Sequence, residues 1–169
     1  MGFMAAACRV ERGSGAKPTT DERRSVSRRE LALVTSLSRD AAVAAVQLAI
    51  AESAMRAVMN RNASAAGDDA TRFCLQLFGE DPAPAYLARF DDVPTPIVAG
   101  SAFRLRTDPE DEHRDIKIWC DRLGIVDERV AYASAGYEEG TMSAAGDELW
   151  LELHEGRWVV VRREQAWIV

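Results

Sequence analysis

Histidine and cysteine are scarce in this chain, and their scarcity removes whole classes of chemistry. Two histidines (His113, His154) and three cysteines (Cys8, Cys74, Cys120) are spread over 169 residues. None has a partner at zinc-ligand spacing, so a zinc site is excluded. There is no CxxC, GxSxG or GxGxxG, which removes a redox dithiol, a hydrolase nucleophile elbow and a dinucleotide loop. GSGAKPT at 13–19 lacks the spacing of a phosphate loop, and Pro18 follows Lys17 where that loop would run into a helix. The acidic run Asp108, Glu110, Asp111, Glu112 lacks the glycine and the terminal glutamate of a calcium loop and reads as a solvated turn. No cofactor is implied.

Long apolar runs are missing too. The longest, Ala41–Ala51, falls short of the ~20 residues of a membrane span and reads as a core helix. Of the 21 basic residues only Lys17 and Lys117 are lysines, and charge is unevenly spread: residues 1–39 carry a net +4, residues 40–169 a net −10. An acidic domain repels phosphate backbones, so nucleic acid is not an expected partner.

The elements that are present read as one α+β domain. Residues 1–24 read as a disordered tether or a remnant signal region, with 9–24 Gly-, Pro-, Thr- and Arg-containing and without period, and 25–169 as the domain. Residues 27–61 hold neither Gly nor Pro, and Leu33, Leu37, Ala44, Leu48, Met55 and Met59 fall on one helical stripe. Val43, Val46 and Ile50 fall on another side, so the middle of the helix is expected to be well buried. This is one long helix or two meeting near Ser38, where Ser38, with Asp40 two residues later, offers an N-cap. TRFCLQLF alternates as a half-buried strand, and DPAPAYLARF reads as a short helix. Strands follow over IVAGSAFRLR, IKIWCDRLGIV and RVAYASAGY, with a bend at Gly100 and a break at Asp127-Glu128. The long helix, or pair of helices, is expected to pack on a curved antiparallel sheet of five to six strands.

Three of the four tryptophans stand in the last 24 residues, GDELWLELHEGRWVVVRREQAWIV. A two-residue turn at Glu155-Gly156 sets His154 opposite Arg157, Leu153 opposite Trp158 and Leu151 opposite Val160. Leu149, Leu151, Leu153, Trp158 and Val160 then share the core face. Trp150, Val159 and Val161 lie opposite, and a sheet apolar on both sides must be curled, covered or used in contact. Trp150, Val159, Val161 and Trp167 are the candidate interaction surface, and the expected partner is another protein or a second copy. Cys74 and Cys120 fall in strands and are candidates either for a disulfide or for two reduced core thiols.

Two resemblances add to this reading. The element order resembles NTF2-like and cystatin-like α+β proteins, in which a helix lies in the concave side of a curved sheet. Asp81-Pro82, Tyr86 to Phe90, Ser101, AYASAGYEEG at 131–140, GRWVV at 156–160 and Trp167-Ile168 resemble a group of uncharacterised bacterial proteins, often lipoproteins or secreted. That group implies no catalytic residues. Ala5-Ala6-Ala7-Cys8 resembles the close of a lipoprotein signal, with Cys8 the lipidation candidate, but only seven residues precede it. The chain as written reads as cytoplasmic; a start further upstream would make it an envelope protein tethered at Cys8. The expected function is a non-enzymatic binding or interaction domain. The alternatives are a small-molecule or catalytic pocket in an NTF2-like cone, and an immunity-type protein whose acidic surface neutralises a basic toxin.

Overall fold

A computed structural model describes residues 32–62, 71–105, 114–140 and 143–169. Cys8, the tether, the acidic run 108–112 and His113 lie outside the described residues. Helix α1 spans Ala41–Arg61. After it come β1 (Thr71–Leu77), the short α2 (Pro84–Leu87) with a 3-10 turn over Ala88–Phe90, and β2 (Ile97–Ala99). A 3-10 turn at Gly100–Ala102 closes β2, so the bend at Gly100 ends that strand after three residues. Strands β3 (Arg114–Ile125), β4 (Val130–Gly140), β5 (Ser143–His154) and β6 (Arg157–Ile168) complete one sheet of order β2-β1-β3-β4-β5-β6.

The sheet is mostly antiparallel, with one departure from the expected pattern. β1 runs parallel to both β2 and β3. Parallel neighbours need a long crossover, and the α2 segment supplies one between β1 and β2. A half-buried ion pair fixes the β1–β3 register: Arg72 and Asp115 are direct cross-strand partners, bonded through two contacts of 2.9 and 2.8 Å. Asp115 also accepts the backbone N–H of Arg104 at 2.9 Å.

Among the described residues the helix begins at Ala41, later than its sequence pattern implies. Asp40 caps it, its carboxylate accepting from the N–H groups of Ala42 (2.9 Å) and Val43 (3.1 Å). Ser38 supports the cap, its hydroxyl accepting from Asp40 N–H at 3.1 Å. The described residues before the cap, 32–39, are non-helical, and Val34 among them exchanges both backbone hydrogen bonds with Leu123 of β3. Val43 and Val46 are exposed, so the first turns of α1 are less buried than expected, and Leu37, ahead of the cap, is exposed as well. The buried stripe is Gln47, Ile50, Ala51, Ala54, Met55 and Val58. It packs on Phe73, Leu75, Ile116, Ile118, Leu123, Ala133, Leu149 and Leu151, which fill the space between helix and sheet. By length and mean hydropathy (1.4) α1 is the one described helix apolar enough to cross a membrane, but that stripe serves as the core.

Arg56 ties α1 to the segment after α2. Its guanidinium donates to both carboxylate oxygens of Asp92 (3.1 and 2.8 Å), to the Arg89 carbonyl (2.6 Å) and to Glu52 (3.1 Å). The hydrogen bonds from Arg56 hold the Asp92 carboxyl below its usual range. Such a depressed group contributes stability above the ordinary carboxylate midpoint near about 4 and loses it as pH falls through the lowered midpoint. The Asp92 side-chain titration followed by NMR is expected to return to the ordinary range in Arg56→Ala. An unchanged midpoint would show that the contact is not formed in solution.

The terminal hairpin follows its sequence reading. Glu155 (φ 49°) and Gly156 (φ 78°) are both left-handed, the backbone of a type I′ turn. His154 faces Arg157, Leu153 faces Trp158 and Leu151 faces Val160.

Candidate functional site

Helix α1 covers one face of the sheet, and the residues of the opposite face are largely polar. Across four strands of that uncovered face runs a single row: Trp119 of β3 opposite Gly136 of β4, Gly136 opposite Gly146 of β5, and Gly146 opposite Trp167 of β6. The outer two residues are indoles and the inner two have no side chain, so each indole folds inward over a glycine. A Cβ on Gly136 would stand 2.4 Å from Trp119 Cζ2, and one on Gly146 would stand 2.3 Å from Trp167 Nε1. The two ring systems are within 11° of parallel, with centroids 6.2 Å apart. Trp167 is 44% exposed and Trp119 half-buried.

A trough of about 520 Å³ adjoins the pair. Its walls carry Gln76, Lys117, Asp121, Arg122, Ser134, Glu138 and Glu148. Lys117 bonds Glu138 at 2.8 Å, and Arg122 reaches the Ser134 hydroxyl at 3.5 Å. Loss of hydration pushes the Asp121 carboxyl upward, opposed by Arg122 and Lys117. Donors and acceptors of both signs thus flank the stacked indole pair, a composition able to hydrogen-bond a polar ligand.

Of the residues the sequence marked for interaction, the structure brings Trp167 into this site and leaves Val159 and Val161 exposed on β6. Trp150 is different. It is 6% exposed, packed edge-on against Tyr132 (centroids 5.6 Å, 71°) with Val130, Leu33 and Val126 around it. The non-helical segment through Leu33 covers it, so Trp150 is a packing residue. Trp119, Gly136 and Gly146 were not among the residues the sequence marked. The row is visible only once the registers of four strands are known.

The strand cysteines are not joined. Both are buried free thiols. Cys120 belongs to the core under α1, while Cys74 alternates with the core residues Phe73 and Leu75 and so projects from the other face of β1. Side chains on opposite faces of a sheet cannot bridge. Burial pushes the Cys74 thiol up to about 12 and raises Cys120 as well, which disfavours the thiolate at both.

A second hollow, a groove of about 550 Å³, lies where α2 and the turn after β1 meet the segment before α1. Leu37, Leu48, Leu77, Phe78, Pro82 and Tyr86 line it, with Glu80, Asp81 and Arg89 at the rim. Two of its charged groups are engaged in structure: Asp81 accepts the Ser101 N–H at 2.8 Å and Arg89 pairs with Glu52 at 2.9 Å. The Tyr86 hydroxyl donates to the Leu48 carbonyl at 3.3 Å, and burial raises it far above its ordinary range. Among the described residues no group of three or more His, Cys, Asp or Glu could hold a metal ion. His154 sits at the hairpin tip, bonded to Glu152 at 3.2 Å. It stands eight residues along β5 from Gly146, about 27 Å in a strand. No protein-family model, no curated protein and no solved structure matches this chain.

Proposed function

We propose that this chain is a non-enzymatic binding domain that holds a sugar ring on the Trp119–Trp167 platform. The observation that carries this reading is the pair of near-parallel indoles laid over two glycines beside a polar trough. A π face attracts either a cation or a flat apolar surface. Rings this close to parallel do not form the box that encloses a quaternary ammonium. The base of a nucleotide would stack, but its phosphate would meet a chain of net charge −6. A pyranose presents a C–H face to the indoles and hydroxyls to Gln76, Asp121, Arg122 and Glu148, which supply both donors and acceptors.

Calorimetric titration with cello-, malto- and chito-hexaose and with peptidoglycan fragments tests the reading. Stacking of one ring on an aromatic platform is worth about 1–3 kcal/mol where bases have been measured, so Trp119→Ala and Trp167→Ala are each expected to weaken binding about tenfold or more. Trp158→Phe, on the helix side, should leave it unchanged. A native chain that binds none of these saccharides, or two tryptophan variants that bind as well as the native chain, would contradict the proposal. Tethering to a membrane through Cys8 belongs to the same proposal and is supported by the sequence Ala5–Cys8 alone.

The groove beside α2 supports a second reading, a small apolar ligand. Phe78, in its wall, is held at φ 54°, a left-handed conformation costly for a bulky residue.

A further inference from the structure

We propose that the chain pairs with a second copy of itself along β6, antiparallel, about a two-fold axis at Arg163. The inference rests on β6 alone and does not depend on what the tryptophan platform binds.

The sheet ends in two unlike edges. β2 offers three residues, but β6 offers twelve, most of them exposed. Natural sheets keep free edges short, charged or covered, because an open row of N–H and C=O groups templates another strand. β6 is long, and apolar on both sides of a charged centre at Arg162–Glu164: of the ten large apolar residues exposed among the described residues, five lie between 159 and 169.

Two register shifts against β5 fix which residue faces where. One leaves Val161 extra, between Val160 and Arg162; the other leaves Ala166 extra, between Gln165 and Trp167. Alternation is therefore broken twice. Trp158, Arg163 and Ile168 point to the helix side, while Val159, Arg162, Glu164 and Trp167 point to the uncovered side.

Antiparallel self-pairing is allowed only where directly opposed residues share a face. With the axis at Arg163 they do. Arg162 meets Glu164 of the second copy, Val159 meets Trp167, and Trp158 meets Ile168, each twice by symmetry. One bulge lies on each side of Arg163, two and three residues away, so Val161 meets Gln165 and Val160 meets Ala166, and the faces match again from Val159–Trp167 outward. Moving the axis by half a residue opposes Arg162 to Arg163, or Arg163 to Glu164, from opposite faces. Moving it to Arg162 opposes Val160 to Glu164, again from opposite faces. Moving it to Glu164 sets Glu164 against itself. At the favoured axis Arg163 faces its own copy, but that guanidinium is already turned to the buried Asp147 at 3.1 Å. The pairing joins two sheets into one and brings both tryptophan platforms to the same side.

Sedimentation equilibrium of the full chain tests this, with circular dichroism confirming that each variant is folded. The native chain is expected at twice 18.6 kDa at about 100 μM. Arg162→Glu and Glu164→Arg place like charges opposite each other, and each should weaken the dimer about tenfold or more. Both side chains are about half exposed (49% and 48%), so neither change disturbs the core. The double reversal restores the complementary pair and should recover the native association. A monomeric native chain, a dimer indifferent to the single reversals, or a double reversal that fails to recover would each overturn the proposal.

Discussion

Replacing Gly136 with alanine is expected to destabilise the fold by about 3 kcal/mol, while the same change at Gly146 costs about 1 kcal/mol or less. The contrast follows from what each new methyl meets. At Gly136 it stands 2.2 Å from the carbonyl oxygen of Ala145 and 2.4 Å from Trp119 Cζ2. The carbonyl belongs to the neighbouring strand of a central ladder and cannot retreat without breaking pairing. At Gly146 the three nearest atoms all belong to the Trp167 indole, at 2.3, 2.6 and 3.0 Å. That ring is 44% exposed on an edge strand and can swing aside. The smaller chain entropy of unfolded alanine offsets part of the remaining cost. Urea unfolding gives both energies. Gly146→Ala should also redshift the tryptophan emission and abolish platform binding in a folded chain. Equal costs at the two positions would mean that the indoles do not lie over the row as described.

The second large effect concerns Arg72 and Asp115. Removing Arg72 leaves a carboxylate with 1% of its side chain exposed without that guanidinium, and a buried charge stripped of its partner costs about 3 kcal/mol or more. Removing Asp115 is milder, about 2 kcal/mol, because the Arg72 side chain is 27% exposed and can turn to water. What Asp115→Ala does strand is the Arg104 N–H. The double change Arg72→Met/Asp115→Leu should cost less than Arg72→Ala alone, since it removes both charges together. Chemical denaturation of the four-member cycle measures the coupling. Additive single effects would show that the pair does not hold β1 to β3.

Local signals in the sequence reached the local structure. Glu155-Gly156 between two alternating runs specified the turn and, through it, the pairing of Leu153 with Trp158. The Ser38–Asp40 cap region was also visible, because capping chemistry is confined to a few residues. Legibility failed where distant segments compete. The helical pattern continues upstream of Asp40, but Val34 finds backbone partners on Leu123, and that tertiary pairing wins over propensity. Trp150 and Trp167 stand in the same tail, yet one is roofed by Leu33 and the other is open, a difference no periodicity encodes. The site was the least legible part. Bulges between Cys120 and Arg122, Gly146 and Asp147, and Trp150 and Leu151 each shift parity, and the Trp–Gly–Gly–Trp row depends on several of these registers at once. A glycine in the interior of each of two adjacent strands, Gly136 and Gly146, was the one available hint, since such positions often admit a close neighbour.

The central claim is that ligands meet this protein on the uncovered face of the sheet. The four indole N–H signals of a ¹H–¹⁵N spectrum, assigned by substituting each tryptophan in turn, test it directly. Titration with the tightest-binding saccharide should move the Trp119 and Trp167 signals together, with the Gly136 and Gly146 amides, and leave Trp150 and Trp158 in place. Shifts confined to Leu48, Phe78 and Tyr86 around the α2 groove, with all four indoles unmoved, would contradict it.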